Sequence, residues 1–183
     1  METSVLLVTV LVKLIAVLRQ SIKELDEKIK VAFQSHPNFA VFDSFPGAGA
    51  ALGPRLMVAF GTQTGRFSSA QDVQSFTGIA PVVEQSGKSK WVHFRWACPK
   101  FLRQTFHEWA GHSIAYSHWA RAYYQQQKES GATHHAAVRS LAGKWIRIAY
   151  RCWLDGKPYD ETIYLNGLRQ HGSPLAARIA NAA

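Results

Sequence analysis

Residue 86 is a serine in a short polar segment whose composition could support chemistry on phosphate. Ser86 is followed by Gly87, and Lys88 and Lys90 lie close behind it. A serine hydroxyl is a weak nucleophile at neutral pH, so it attacks phosphorus only where cations or a metal stabilise the developing negative charge. The two lysines supply cations beside a flexible glycine. The local sequence alone still favours an ordinary polar turn serine, so the nucleophile hypothesis depends on the wider pattern of the chain.

A Pro-Gly turn earlier in the chain is the second candidate for contact with phosphate. Pro46, Gly47 and Gly49 resemble the turn of a helix-hairpin-helix element. In such a turn the glycines let the backbone approach a phosphate, whose oxygens accept hydrogen bonds from the N–H groups of the second helix. Any helical hairpin can use Pro-Gly, so the motif is weak by itself.

The positive charge of the chain is concentrated in one segment. The net charge is +9, and residues 85–154 hold eleven of the Lys and Arg residues but only two carboxylates, whereas the rest of the chain is neutral. A charge imbalance of this kind predicts a polyanion partner, most often nucleic acid; a solubilising face is the alternative, although it usually mixes both signs. The candidate phosphate contacts are Lys88, Lys90, Arg95, Lys100, Arg103, Arg139, Arg147 and Arg151. Trp91 and Trp96 could stack on bases, although such residues are more often core.

The N-terminal segment predicts one long coiled-coil helix. Apolar residues from Val8 to Ala32 recur at alternating intervals of three and four, which is the heptad pattern. Because so long a helix cannot bury its stripe on a small domain, we expect residues 1–36 to pair with another helix. The apolar run from Val5 to Leu18 is too short to cross a bilayer, so no membrane partner is expected. Two cysteines without zinc spacing favour a reducing, cytoplasmic compartment.

The remaining elements predict a mainly α fold with one extended segment. Helices are expected over residues 49–61, 69–76, 99–128 and 133–154, with Ser69 and Asp72 as a capping box and Thr133 as a cap. Residues 82–94 are predicted to be extended around a basic turn. The helical domain is placed at residues 37–160, and the remainder, residues 161–183, is interpreted as a tail that frays after Gly172.

Metal-binding patterns in the sequence are weak. His107 and His112 are five residues apart, so at about 100° per residue they diverge by roughly 140° on a helix, which excludes a zinc-protease motif. Asp155, Asp160 and Glu161 form a local carboxylate cluster that we interpret as loop residues rather than a two-metal site. We therefore expect no metal site in this chain.

Several ordered motifs resemble the C-terminal region of the insertion-sequence 110/116/902 transposase family, which includes the Piv-type DNA invertases. The motifs are Phe45-Pro46-Gly47-Ala48-Gly49, Gly65-Arg66-Phe67-Ser68-Ser69-Ala70, Phe76-Thr77-Gly78-Ile79-Ala80-Pro81, Gln85-Ser86-Gly87, Lys100-Phe101-Leu102-Arg103, Lys144 and Asp155-Gly156-Lys157-Pro158-Tyr159. The resemblance covers residues 40–160, and the heptad helix resembles the coiled-coil segment that precedes this region in the family.

The resemblance implies a mechanism and partners. Family members pair an RNase-H-like domain, whose carboxylates bind magnesium, with this C-terminal domain, which supplies a nucleophilic serine; by motif position that residue is Ser86. They act on DNA under the guidance of a structured RNA and work as oligomers, here through the N-terminal helix. The printed chain lacks the carboxylate domain, so we expect a fragment that is inactive alone. It also has Phe94-Arg95-Trp96-Ala97-Cys98 where many members have Ile-Ser-Lys-x-Gly.

The resulting prediction is a DNA-binding transposase fragment that cleaves and exchanges strands through Ser86 in the bacterial cytoplasm, at the nucleoid. One alternative is a non-catalytic DNA- or RNA-binding module that modulates a full-length transposase. A third class is a coiled-coil scaffold with no role in nucleic-acid binding, for which salt-sensitive DNA binding would be absent.

Overall fold

The computed structural model describes residues 2–181, which divide into two compact units at the boundary between Pro37 and Asn38. The first unit is the helix α1, Glu2–Gln34. The second unit holds eight further α-helices among the described residues, a short 3-10 turn and a two-stranded sheet. The mainly α fold with a long N-terminal helix is therefore confirmed.

Helix α1 exposes its apolar side chains over most of its length, although Phe33 near its end is buried. The residues of the heptad stripe from Val8 to Ile29 are between 48% and 60% exposed. Its most apolar 18-residue window has a mean hydropathy of 2.1. By length and composition alone the whole of α1 could cross a membrane, although the run of residues 5–18 by itself is too short to do so. A signal sequence has the same properties near an N-terminus, so this feature is weak evidence for a membrane span.

The second unit consists of short elements followed by longer helices. Its elements are α2 (Phe39–Asp43), α3 (Gly49–Phe60), the 3-10 turn (Thr64–Arg66), α4 (Ala70–Phe76), β1 (Val82–Ser86), β2 (Ser89–His93), α5 (Lys100–Tyr116), α6 (His118–Glu129), α7 (His134–Asp155), α8 (Glu161–Gln170) and α9 (Pro174–Asn181). Helix α7 is central, because it packs against α4, α5 and α6. The capping box of Ser69 with Asp72 and the cap at Thr133 are confirmed.

Four buried tryptophans hold the core of the second unit together. Each indole ring packs among other aromatic rings, and each indole N–H donates one hydrogen bond to a different element or loop. The acceptors are the Pro46 carbonyl for Trp109, the Tyr159 hydroxyl for Trp119, the Ser113 hydroxyl for Trp145 and the Gly61 carbonyl for Trp153. The loops before α3, after α3 and after α7 are therefore tied to the helical core.

The helix that the sequence predicts over residues 99–128 is broken in the structure. Ser117 is extended (φ −132°, ψ 125°), so α5 ends at Tyr116 and α6 begins at His118. The guanidinium of Arg121 donates to the carbonyls of Ile114 and Ala115, each at 3.1 Å. These carbonyls at the C-terminal end of α5 thereby gain the hydrogen bonds that the helix itself cannot supply. The Ser117 hydroxyl donates to Glu161 Oε1 at 3.1 Å. The break therefore results from tertiary contacts that apolar spacing does not reveal.

Residues after Gly172 also differ from the expectation of a frayed tail. Helix α9 packs against α6, and its Leu175 is buried. Arg178 forms an ion pair with Glu129 of α6. Helix α8 packs as well, because the ring of Tyr164 lies 4.6 Å from the ring of Trp119.

Replacing Gly47 by alanine should destabilise the chain far more than replacing Gly49. Gly47 has φ +77°, and a Cβ there would lie 2.9 Å from the Ser113 backbone nitrogen; Gly49 has φ +54° and open space around it. We expect Gly47→Ala to lower the free energy of unfolding by roughly 3 kcal/mol, and Gly49→Ala by roughly 1 kcal/mol. Urea denaturation followed by circular dichroism measures both, and equal losses would contradict the packing of this turn.

Candidate nucleic-acid interface

Strands β1 and β2 form an exposed hairpin with Ser86 beside its turn. The strands are antiparallel, and Ser86 at the end of β1 pairs with Ser89 at the start of β2. Gly87 has φ +56° and Lys88 has negative φ, which is the pattern of a type II′ turn with glycine in its first central position. Both strands are exposed on nearly every residue. Ser86 is therefore accessible, and its hydroxyl is not enclosed by apolar side chains.

The register of the hairpin decides which side chains share a face with Ser86. Successive side chains alternate between faces, so the paired residues Ser86 with Ser89 and Glu84 with Trp91 lie on one face. Lys90 pairs with Gln85, and both point to the opposite face. The structure therefore separates the two lysines, because Lys88 lies in the turn next to Ser86 whereas Lys90 faces away.

An ion pair stabilises the base of the hairpin on the face of Ser86. His93 Nε2 lies 2.8 Å from Glu84 Oε1, and His93 Nδ1 lies 2.9 Å from the Phe94 carbonyl oxygen. Since both ring nitrogens face acceptors, the protonated imidazolium is favoured. The hydrogen bond to Glu84, followed by that to Phe94, raises the pKa of His93 above its ordinary value. The ring of Trp91 stacks on His93 at 4.4 Å.

A cleft of about 630 Å³ opens where the chain leaves the hairpin. Its walls come from the segment after β2, from α5 and from the start of α7. The lining residues are Ile79, Phe94, Trp96, Lys100, Arg103, Gln104, His107, Glu108, His135 and Arg139. Of the candidate phosphate contacts, the cleft brings together Lys100 and Arg103 of α5 with Arg139 of α7, which is distant from them in the sequence.

Two half-buried arginines flank the ring of Phe94 in this cleft. The guanidinium carbon of Arg139 lies 4.0 Å from the ring centroid, and that of Arg103 lies 5.8 Å from it. Arg103 also donates to the Arg95 carbonyl at 3.3 Å. Within the described residues, no carboxylate lies within ion-pairing distance of either arginine. Burial, and then the charge of Arg103, lowers the pKa of Arg139, although a guanidinium stays charged.

Arg95 lies beside the cleft rather than beside Ser86. Its Nε atom is buried and has no hydrogen-bond partner within the described residues. Phe94 follows Ser89 by five residues along extended chain, which corresponds to about 16 Å at ~3.3 Å per residue. The cations of the cleft and the hydroxyl of Ser86 are therefore at opposite ends of the hairpin.

The cleft contains two histidines that sequence reasoning missed as site residues. The rings of His107 and His135 lie 5.5 Å apart. Burial is the main cause that lowers the pKa of His107, and the nearby charge of Arg139 acts in the same direction. The available signal was helical spacing, because His107 follows Arg103 by four residues and His135 precedes Arg139 by four.

Among the described residues Glu108 is the only carboxylate that lines the cleft, and it already has polar partners of its own. Gln104 Nε2 donates to it at 2.7 Å, and Arg55 lies 3.8 Å away. Glu108 therefore neutralises neither Arg103 nor Arg139.

The remaining cations of α7 belong to a different surface. Arg147 and Arg151 line a smaller cleft of about 360 Å³ with Tyr159 and Tyr164. Arg151 Nε pairs with Asp155 Oδ2 at 2.8 Å. Eight residues of helix rotate Arg147 by about 80° from Arg139 and displace it by about 12 Å along the axis. The predicted basic stripe of α7 is therefore divided between two clefts.

The Pro-Gly turn faces inward at its centre. The Pro46 carbonyl accepts a hydrogen bond from Trp109, and Gly47 lies against the α5 backbone. Gly49 begins α3 and is exposed. The α2 helix before the turn has only five residues. Pro46 and Gly47 are thus explained by packing, and Gly49 is the glycine of this motif that is open to a ligand.

The carboxylates Asp155, Asp160 and Glu161 lie at helix ends rather than in a loop, which corrects the interpretation of them as loop residues. Asp155 is the last residue of α7 and pairs with Arg151. Asp160 caps α8 by accepting from the N–H groups of Thr162 and Ile163, and Glu161 accepts from Ser117. Among the described residues, no group of three or more His, Cys, Asp or Glu side chains is arranged to hold a metal ion.

Comparison with known proteins identifies the class of this domain. Residues 40–125 match the transposase IS116/IS110/IS902 family. The chain is 30% identical over 155 residues to the candidate mini-circle transposase for IS117 of Streptomyces coelicolor. The aligned region covers 81% of this chain and 37% of that protein. The chain therefore carries a transposase domain of the IS116/IS110/IS902 family, as its motifs indicated.

Two further relatives show the same partial coverage. The 43.6 kDa protein of insertion element IS110 from Streptomyces coelicolor is 29% identical over 141 residues, covering 75% of this chain and 34% of that protein. The 42 kDa protein of insertion element IS900 from Mycobacterium paratuberculosis is 28% identical over 151 residues, covering 81% of this chain and 38% of its own length. The chain thus spans little more than a third of the length of these curated relatives.

Removing the Glu84 carboxylate should lower the pKa of His93. Glu84 raises the pKa of His93 in the folded chain. The contact therefore contributes its full stabilisation of the fold at pH values below the ordinary histidine pKa near 6.5. That contribution is lost as the pH rises through the raised pKa. An NMR titration of the His93 ring should show a lower pKa in Glu84→Gln than in the unmodified chain. The same pKa in both proteins would contradict the pairing at the hairpin base.

Proposed function

We propose that this chain binds DNA during transposition and that Ser86 is the nucleophile that cleaves a strand. The observation that carries the proposal is the position of Ser86, exposed beside the turn of a hairpin that projects from a transposase domain. The family assignment and the positive charge of residues 85–154 support a DNA partner. A phosphodiester in the surface of a duplex or strand can reach such a hydroxyl without entering a pocket.

In the proposed step, the Ser86 oxygen attacks the phosphorus of one phosphodiester. A bond forms between Oγ and phosphorus, and one bridging P–O bond breaks, so that its deoxyribose oxygen leaves as a hydroxyl. The proton lost by the serine is balanced by the proton gained by the leaving oxygen. The phosphoserine ester retains the energy of the original bond, so a second deoxyribose hydroxyl can reverse the step and rejoin strands without ATP.

The residues around Ser86 explain part of this chemistry. Lys88 in the turn supplies a cation beside the hydroxyl, whereas Glu84 on the same face is paired with His93. The described residues do not fit a magnesium site, since they contain no suitable carboxylate cluster. The resemblance assigns magnesium to an RNase-H-like domain, which we propose acts together with this one.

A non-catalytic nucleic-acid-binding module is the second candidate function. It is favoured by the distance between the two sites, because the cleft of Arg103 and Arg139 lies at the opposite end of the hairpin from Ser86. Binding at the cleft does not require the serine hydroxyl. In that case the chain would modulate a full-length transposase without cleaving DNA.

Exchanging Ser86 for alanine should abolish a covalent protein–DNA adduct. The chain is incubated with DNA from its element and a separately produced carboxylate domain, then denatured and separated by gel electrophoresis. We expect an adduct with the unmodified chain and none with Ser86→Ala. Ser89→Ala is the matched control, because Ser89 pairs with Ser86 across the same turn and should leave the adduct intact.

Two results would contradict the catalytic proposal. An adduct that persists in Ser86→Ala would place the nucleophile elsewhere. No adduct with the unmodified chain, together with normal DNA binding, would support the non-catalytic module.

We further propose that α1 joins copies of this chain as a coiled coil. With Val8 as position a, the a positions are valine or isoleucine from Val8 to Ile29, and the d positions are Leu11, Leu18, Leu25 and Ala32. β-Branched residues at a with leucine at d favour two parallel strands. These side chains are exposed along the helix, so pairing would remove a continuous apolar stripe from water.

A charge at a d position of α1 should separate the copies. We expect size-exclusion chromatography with light scattering to report twice the 20.4 kDa chain mass for the unmodified protein. Leu18→Glu should shift it to the mass of one chain, whereas Ala16→Glu at a b position should not, since b positions face solvent. A single-chain mass for the unmodified protein at all concentrations would contradict the coiled-coil proposal.

The proposed partners and location follow from the family resemblance. A structured guide RNA is the second nucleic acid that we propose for the assembled enzyme, beside its DNA substrate. The corresponding location is the bacterial cytoplasm, at the nucleoid.

A further inference from the structure

We propose that the cleft at the hairpin base binds one unpaired nucleotide, with its phosphate between Arg103 and Arg139 and its base on Trp96. This inference rests on the proposed function, because it specifies how a nucleic-acid strand is held while Ser86 acts. It concerns a different set of residues from the nucleophile, at the other end of the hairpin.

The positive charge of the cleft favours an anionic ligand. Arg103 and Arg139 are half-buried and converge on the same ring, and within the described residues neither has a carboxylate partner. Removing a cation from water without a counter-charge is unfavourable. The contact of Arg139 with the Phe94 ring compensates in part. A phosphate would complete the neutralisation, and Arg binds phosphate through paired N–H donors.

The aromatic residues at the cleft point to a base as the second part of the ligand. Trp96 is 80% exposed although it lines the cleft. Leaving so large an apolar ring in water is unfavourable, and stacking on a base would cover it. The inner aromatic residue, Phe94, is already covered on one face by Arg139. The volume of about 630 Å³ is within the range of small-ligand sites and is large enough for a nucleotide.

The concave shape distinguishes an unpaired nucleotide from one within a duplex. The guanidinium groups lie inside the cleft beside Phe94 rather than on a convex surface. A protruding lysine such as Lys88 can contact the phosphates of an intact duplex, but the paired bases of that duplex stay inside the base stack. A base can stack on a side chain only when it leaves that stack. An unpaired nucleotide therefore satisfies both the arginines and Trp96.

The other groups that face the cleft are compatible with this ligand. Lys100 adds a third cation to the lining. Glu108 is engaged by Gln104 and lies near Arg55, which offsets its repulsion of a phosphate. His107, whose pKa is lowered mainly by burial, is neutral at neutral pH and can donate or accept a hydrogen bond.

The test compares a fluorescein-labelled oligo-dT strand with a duplex of equal length, using the full chain and fluorescence anisotropy at several salt concentrations. Arg139→Gln should weaken single-strand binding about tenfold and reduce its salt dependence by about one counterion. Arg169→Gln is the matched control, since Arg169 is an exposed arginine of α8 that does not line the cleft and is not among the candidate phosphate contacts. It should have little effect on single-strand binding.

Trp96 provides an independent variant, because so exposed a side chain can be changed without loss of folding. Trp96→Ala should weaken single-strand binding about tenfold and duplex binding much less. Trp96→Phe, which retains a ring that can stack, should restore most of the affinity. The same measurement with an oligo-U strand shows whether the natural ligand is DNA or RNA, because the strand that binds more tightly, oligo-dT or oligo-U, marks the natural ligand.

The outcomes separate this inference from the proposed function. If Arg139→Gln and Trp96→Ala bind the single strand as tightly as Arg169→Gln does, the proposal of a nucleotide cleft is wrong, although DNA binding by the chain stands. If the unmodified chain binds neither strand nor duplex, the proposed function itself is wrong. Equal loss of strand and duplex binding in Trp96→Ala would also overturn the preference for an unpaired nucleotide.

Discussion

The contact of Phe94 with Arg139 and Arg103 determines where the hairpin can hold its serine. A two-stranded hairpin is marginally stable in water by itself, and both strands here are exposed. Its base is attached to the helical core where the Phe94 ring lies against guanidinium groups from α5 and α7. Because Ser86 lies at the far end of the hairpin, any rotation at Phe94 displaces the hydroxyl by a larger distance than it displaces the cleft.

The net charge of +9 is divided among distinct surfaces rather than surrounding one hydroxyl. Lys88 lies in the turn of the hairpin. The cleft at the hairpin base is lined by Lys100, Arg103 and Arg139, and a separate cleft is lined by Arg147 and Arg151. The hairpin thus connects the two proposed sites, the cleft for an unpaired nucleotide at its base and Ser86 for strand cleavage beside its turn.

Local patterns in the sequence predicted the elements well, and tertiary contacts explain the rest. The capping box at Ser69 and the extended basic hairpin are short-range signals, and both are present. The break at Ser117 is not visible in the apolar spacing, because it results from Glu161 and from Arg121 folding back on α5. The family motifs identified the domain from the sequence. The cleft could not be predicted in this way, because it forms only where α5 and α7 pack together around Phe94.

The central claim is that nucleic acid engages the hairpin and the cleft at its base, and the indole N–H signals of the six tryptophans test it directly. Four indoles are buried and hydrogen-bonded inside the protein, whereas Trp91 on the hairpin and Trp96 at the cleft are 61% and 80% exposed. In a two-dimensional NMR titration with DNA, the account predicts that the signals of Trp91 and Trp96 shift while the four buried indoles stay in place. Saturating DNA that leaves both exposed indoles unchanged would contradict it.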